Sequence, residues 1–150
     1  MGKKMEQWLA LAAWEKWLLV QLTLLLPLVG LSLRVLGFKR TSRLLDGTGR
    51  LAAGGREVNV DAWAWAERIG RLVNIAARRG PYKATCLGKS LALWWLLRRR
   101  GVAAELRIGV RLNEGVLDAH AWVEHAGVPI NEQPDVAEEF APFRGTVAHL

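Results

Sequence analysis

Apolar residues recur at helical spacing through the middle of the chain. Between residues 60 and 80, "VDAWAWAERIGRLVNIAARRG" repeats them every three or four positions and ends in two arginines and a glycine, which predicts a helix. A second helix is predicted from Cys86 to Arg100, with Thr85 as its N-cap and Gly101 as its end.

After Gly101 the pattern changes from helical to alternating. The stretches "VAAELRIGVRL" and "VLDAHAWVEH" alternate apolar and polar residues, which predicts two strands joined by a turn at "NEG". "VPINEQ" predicts a short third strand. Helices followed by an antiparallel sheet indicate the α+β fold class.

The first forty residues carry the most apolar run, "WLLVQLTLLLPLVGLSL" at 17–33. Gln21 lies within it, Pro27 and Gly30 interrupt it, and no cleavage pattern of a signal peptide follows. We therefore expect two short helices broken near Pro27 that pack against protein, with membrane contact as the less favoured interpretation. The side chains expected to face the partner surface are Trp8, Trp14, Trp17, Leu24 and Leu25.

Composition limits the class of protein. At 150 residues, of which 51% are hydrophobic, the chain has the size of one folded domain and is not a disordered segment. We divide it into amino-terminal hydrophobic helices at 1–45 and a core at 46–150, which together form one compact unit. The single cysteine excludes an internal disulfide and favours a reducing, cytoplasmic location.

The net charge of +7 indicates an anionic partner without identifying it. Arginines 98–100 are not interleaved with aromatic residues, so we expect no nucleic-acid binding. One cysteine and scattered histidines do not give the spacing of a zinc site, and no glycine-rich phosphate loop is present. We therefore predict neither a metal nor a cofactor.

The cysteine itself is the strongest candidate for chemistry. A helix N-terminus stabilises a thiolate by only ~0.3–1 kcal/mol, so Cys86 needs a cationic partner to become a nucleophile. Of the three histidines, His149 is the penultimate residue and His125 falls at a hairpin tip. His120 lies in the middle of a predicted strand between two alanines, which leave room for another element. We therefore pair Cys86 with His120.

A third group usually orients the imidazole of such a pair. If "HAG" is a three-residue loop with Gly127 in the left-handed conformation, Glu132 lies opposite His120 and can hold its ring. A two-residue loop would instead set Asn131 diagonal to His120, and Asp118 is a third choice on the same strand face. We favour Glu132.

The stretches "CLGKSLALWWLLRRRGVAAELRIGVRL" and "LDAHAWVEHAGVPINEQPDV" resemble a known family, the stand-alone leader peptidase half of the split B protein of lasso-peptide biosynthesis. The resemblance spans roughly residues 70 to 143. It rests on a Cys-Leu-x-x-Ser-Leu helix, an Ala-His-Ala-Trp-Val-Glu strand and an acidic residue twelve positions after the histidine.

The resemblance implies a transglutaminase-like, papain-related cysteine peptidase with Cys86 as nucleophile, His120 as base and Glu132, where the family more typically has Asp, as the third member. It also implies three partners, namely a precursor with a leader peptide, a separate leader-recognition protein and a lasso cyclase. Two alternatives stay open. One is a non-catalytic scaffold for these partners, and the other is an acyltransferase with the same three residues.

Overall fold

The computed structural model describes residues 11–53 and 61–143. Three long helices come first, namely α1 (Ala13–Ala53), α2 (Ala62–Arg79) and α3 (Cys86–Arg99). A sheet follows, with a short helix before its last strand: β1 (Glu105–Asn113), β2 (Val116–His125), β3 (Val128–Pro129), α4 (Val136–Glu139) and β4 (Ala141–Pro142). The α+β fold class is thus confirmed, and so are the two helices predicted between residues 60 and 80 and from Cys86 to Arg100, and the first two predicted strands.

The sheet has the order β3-β2-β1-β4, and every neighbouring pair is antiparallel. The two faces of the sheet contribute to different clusters of buried side chains, because side chains alternate between the faces along each strand. On one face Leu106 and Val123 lie opposite each other and join the main core. On the other face Trp122 is fully buried and forms a second cluster with Val136 and Phe140.

The main core is formed by the three long helices. Helix α1 packs chiefly against α3, and α2 packs against both. Each helix contributes leucines or other apolar side chains to one continuous cluster, among them Leu18, Leu22, Leu26, Val29, Ile69, Leu72, Val73, Leu91, Leu93 and Leu97.

Helix α1 does not break near Pro27, so that prediction is wrong. Leu22, Leu26 and Val29 are all buried on one face on either side of the proline, and this packing keeps the segment helical. The chain instead leaves helical geometry at Gly37, where φ is 74° and ψ is 173°. Only glycine adopts that conformation without steric cost, which explains why the kink lies there.

The side chains expected to share one partner-facing surface lie on different faces of α1. Trp14 and Leu25 pack against the core of this chain. Trp17 and Leu24 are about two-thirds exposed, and Trp8 lies outside the described residues.

Within the described residues, one helix is long and apolar enough to cross a membrane by length and composition, over Ala13–Gly49. Core helices of soluble proteins and signal sequences meet the same criterion, so this alone is weak evidence. The proposed division of the chain at residue 45 stays a prediction.

Glu15 holds the beginning of α1 to α2. Its buried carboxylate accepts a hydrogen bond from the backbone N–H of Ala12 at 2.8 Å, as a residue at this helix position does in a capping box. Arg68 Nε of α2 donates to the same carboxylate at 2.6 Å, and its guanidinium also lies over the ring of Trp14. The hydrogen bond from Arg68 is the main reason why the pKa of Glu15 lies below its ordinary value of 4.5, although burial acts in the opposite direction.

We therefore expect Glu15→Gln to lower the melting temperature at pH 7 by roughly 2–4 °C. Because the pKa of Glu15 is lower in the folded chain, its carboxylate stabilises the fold above the ordinary pKa and ceases to do so as pH falls through the folded pKa. The difference between wild type and variant should shrink as pH falls below the ordinary pKa of 4.5, in thermal melts followed by circular dichroism. A difference that stays constant as pH falls would contradict this account.

Candidate active site

Cys86 is the first residue of α3, as its predicted position required. The hydroxyl of Thr85 accepts a hydrogen bond from the N–H of Gly88 at 3.1 Å, which confirms Thr85 as the N-cap. The cysteine is a free thiol of intermediate exposure. Within residues 11–53 and 61–143 its sulfur makes no hydrogen bond, so the imidazole of His120 is not bonded to it in this state.

The loop after β2 has two residues rather than the three predicted. Ala126 and Gly127 both have positive φ, at 50° and 78°, which is the geometry of the two-residue turn that matches the twist of a hairpin. Glu124 consequently pairs with Pro129 and not with Val128. The register argument that favoured Glu132 was therefore wrong. It assumed a three-residue loop in which only Gly127 has a left-handed conformation, whereas Ala126 has one as well.

The predicted third strand is present, but it ends at Pro129 and is shorter than "VPINEQ" suggested. One more backbone bond follows, from the N–H of Ile130 to the carbonyl of Val123. Beyond that bond the side chain of Asn131 takes the place of a strand partner, and its Oδ1 accepts a hydrogen bond from the N–H of Val123 at 2.8 Å. Its Nδ2 donates to Ser90 Oγ at 3.1 Å, so both ends of this buried amide are bonded away from His120.

Ser90 ties α3 to the edge of β2. Its fully buried hydroxyl accepts from Asn131 and donates to the carbonyl of Ala121 at 2.9 Å. Ala121 follows His120 directly, and Ser90 lies one helical turn after Cys86. This hydroxyl therefore fixes the beginning of the cysteine helix against the part of the strand that carries the histidine.

Helix α2 holds the segment after β3 in place. Asn74 Nδ2 donates to the backbone carbonyl of Asn131 at 3.1 Å. One turn earlier on α2, a Cβ on Gly70 would lie only 3.0 Å from the carbonyl oxygen of Ile130. Glycine at this position allows the segment that carries Glu132 to lie directly on the helix.

Glu132 and His120 are brought together. Glu132 Oε1 lies 3.4 Å from Nε2 of His120, and the two side chains are 22% and 23% exposed. The imidazole also contacts the ring of Phe140, with centroids 5.1 Å apart, and stacks on Trp122 at 6.5 Å. The carboxylate faces Nε2, so Nδ1 is the ring nitrogen left to exchange a proton with a thiol.

Lys89 is a site residue that sequence reasoning missed. Its Nζ donates to Glu132 Oε1 at 2.7 Å, so the lysine and the histidine share one carboxylate oxygen. Lys89 lies three residues after Cys86 on α3, where side chains are neighbours on the helix surface. That spacing could have identified it as near the thiol, but nothing in the sequence indicated a bond across 43 positions.

The other candidates from the sequence have different partners. Asp118 accepts from Arg111 Nε at 3.1 Å. His125 bonds the backbone carbonyl of Ala103 through Nδ1 and contacts the ring of Trp63, so it is not simply a solvated residue at the hairpin tip. His149 lies outside the described residues.

A polar cleft of about 280 Å³ lies beside Glu132, between α2 and the segment after β3. Its lining side chains are charged or polar except for one, namely Glu67, Arg71, Asn74, Arg78, Ile130, Asn131, Glu132 and Gln133. In the part of the chain that the structure describes, no group of three or more histidine, cysteine, aspartate or glutamate side chains could hold a metal ion.

Comparison of the chain with models of protein families gives a match to the transglutaminase-like superfamily over residues 25–145. Comparisons with curated proteins and with solved structures give no match.

Ser90→Ala should lower the free energy of unfolding by about 1–3 kcal/mol, because the Nδ2 of Asn131 and the carbonyl of Ala121 would both lose a buried partner. Urea denaturation followed by fluorescence measures this. Ser42→Ala is a suitable control, since its hydroxyl makes an exposed bond within α1, and it should change the stability by less than about 0.5 kcal/mol. Equal stability of the two variants would show that the bridge contributes nothing.

Proposed function

The chain belongs to the transglutaminase-like superfamily, which includes cysteine peptidases and acyltransferases, and on this premise we propose that it is a cysteine peptidase acting on a leader peptide. Cys86 is the nucleophile, His120 the base and Glu132 the residue that orients the imidazole. The observation that carries the proposal is the 3.4 Å approach of Glu132 Oε1 to His120 Nε2, on a strand that Ser90 ties to the cysteine helix.

The substrate in this proposal is a ribosomally made lasso-peptide precursor. The support comes from the resemblance of the Cys86 helix and the His120 strand to the stand-alone B protein, which adds a substrate class to the family assignment. A separate leader-recognition protein presents the precursor, and a cyclase closes the ring once the core has a free amino terminus. In this proposal the cleft beside Glu132 takes up substrate residues next to the scissile bond.

The position of Cys86 suits a nucleophile. The N-terminus of α3 favours a negative charge on the sulfur by ~0.3–1 kcal/mol, and an imidazolium at His120 supplies the remaining stabilisation. The backbone N–H groups in the first turn of a helix lack helical partners, so the N–H of Cys86 can donate to the oxyanion that forms on the substrate carbonyl.

The reaction proceeds in two halves. The thiolate attacks the carbonyl at the leader–core junction, and the imidazolium of His120 gives its Nδ1 proton to the leaving amine as the C–N bond breaks. This releases the core and leaves the leader as a thioester on Cys86. His120 then takes a proton from water, the hydroxide attacks the thioester, and the C–S bond breaks to give the thiolate and the carboxylic acid of the leader, which loses its proton to solvent. Glu132 keeps Nε2 protonated and holds the ring throughout.

Cys86→Ala should abolish leader removal without loss of stability, because the thiol has no hydrogen bond within the described residues that the fold would lose. The purified protein, the recognition protein and a precursor are incubated together, and the products are weighed by mass spectrometry. Two fragments whose masses sum to the precursor plus one water indicate hydrolysis.

Substantial cleavage by the alanine variant would show that Cys86 is not the nucleophile. A scaffold role would follow if alkylation of Cys86 left cleavage intact. A product in which an added amine replaces water would indicate an acyltransferase.

Substitution of the candidate third members distinguishes between them. Glu132→Leu should lower kcat by roughly 10²–10⁴-fold, since the ring of His120 loses the group that orients it. Glu132→Gln should be milder, because its amide oxygen can occupy the same position beside Nε2. Asp118→Asn is the matched control and should leave kcat within about twofold, since Asp118 pairs with Arg111. A larger loss from Asp118→Asn than from Glu132→Leu would reassign the role.

Lys89 acts as a positioning residue in this proposal, since it fixes the carboxylate that faces His120. Lys89→Met should lower kcat by about tenfold with little change in KM, and Lys89→Arg should restore most of the rate because it keeps a donor to Glu132. Combined with Glu132→Leu, Lys89→Met should cause no further loss, because the two act through one contact. Additive losses would indicate that Lys89 contacts substrate directly.

A further inference from the structure

One face of α1 exposes a continuous apolar stripe, formed by six side chains that are each between 50% and 71% exposed: Trp17, Val20, Leu24, Leu28, Leu31 and Val35. Their spacing is three or four residues throughout, so they follow one side of the helix for about 27 Å. Single exposed apolar residues are common on proteins, but a contiguous stripe of this length marks a contact surface.

The opposite face of the same helix is buried in the core of this chain. Leu18, Leu22, Leu26 and Val29 are buried against the other helices, so the stripe cannot turn inward without emptying the core. For the same reason α1 cannot span a bilayer while the fold is intact. Any occupant must contact the stripe from outside, with α1 lying parallel to the contact plane.

The charge around the stripe favours an anionic occupant. From residue 16 to residue 45 the sequence has five basic residues and no acidic residue. Lys16 lies at the beginning of the stripe and Arg34 at its end, and exposed basic side chains follow within the next turns of helix, at Lys39, Arg40 and Arg43. A second copy of this chain would bring two such cationic segments together, which like-charge repulsion disfavours.

The shape favours lipid over a folded protein. The stripe is the convex side of a single helix. Its six side chains line neither the cleft beside Glu132 nor the cleft between α1 and α2 that contains Leu19, Thr23 and Ile75. A bilayer surface adapts to a convex helix and offers acyl chains for the apolar side chains and anionic headgroups for lysine and arginine. We propose that α1 binds the surface of an anionic bilayer in the plane of the membrane, through this stripe, and independently of the proposed reaction.

Co-sedimentation of the full chain with vesicles tests the proposal. Vesicles of phosphatidylglycerol and phosphatidylcholine in equal parts should pellet the protein at low salt, and pure phosphatidylcholine vesicles should pellet at least ~10-fold less. The double variant Leu24→Asn/Leu28→Asn should lower binding to the anionic vesicles by at least ~10-fold. Lys39→Gln/Arg40→Gln/Arg43→Gln should lower it as well, without affecting the apolar stripe.

The matched control is Val116→Asn/Leu117→Asn, which removes two equally exposed apolar side chains from the β1–β2 hairpin and should leave vesicle binding unchanged. Thermal melts confirm that each variant is folded. No binding of the wild type to anionic vesicles, or equal binding by wild type and the Leu24→Asn/Leu28→Asn variant, would overturn the proposal. So would light scattering that finds a wild-type oligomer which this variant dissociates, because the stripe would then be a protein interface.

Discussion

The site depends on the bridge that Ser90 makes between α3, β2 and the segment after β3. A buried hydroxyl has one proton to donate and lone pairs to accept with, and here the carbonyl of Ala121 and the amide of Asn131 use both functions. Strand β3 pairs with β2 only at Glu124 and His125. The carbonyl of Ala121 and the N–H of Val123 on the same edge therefore need other partners, which Ser90 and Asn131 supply. The attachment of α3 to the strand that carries His120 is thus a consequence of pairing backbone groups at an otherwise unpartnered strand edge.

A second layer of contacts makes this arrangement rigid. Helix α2 approaches the segment after β3 closely at Gly70 and bonds it from Asn74. On the face of the sheet that carries His120, Trp122 and Phe140 are buried and pack against the imidazole. Glu132 therefore lies between elements that are each anchored to the core, although the segment that carries it has no regular structure.

The sequence predicted those features that depend on local periodicity. Strands β1 and β2 alternate regularly and α2 has a clear apolar face, so their spacing was sufficient. Glu132 was placed near His120 by a register that proved wrong, because the sequence did not reveal that Ala126 adopts a positive φ. The kink in α1 lies at Gly37 rather than Pro27, since packing outweighed the missing N–H of the proline. Because α1 is apolar on two opposite faces, periodicity could not separate its buried side from its exposed one.

The shared oxygen of Glu132 has a consequence for charge balance. The ammonium of Lys89 and the carboxylate of Glu132 form an ion pair in contact with the imidazole, so together they add no net charge to its surroundings. In the proposed reaction an imidazolium and a thiolate form a second such pair. The four groups then sum to zero whether the proton resides on sulfur or on nitrogen. Proton transfer between sulfur and nitrogen conserves the total charge in any site. The Lys89–Glu132 pair makes that total zero, so neither protonation state would require a counter-ion from solvent.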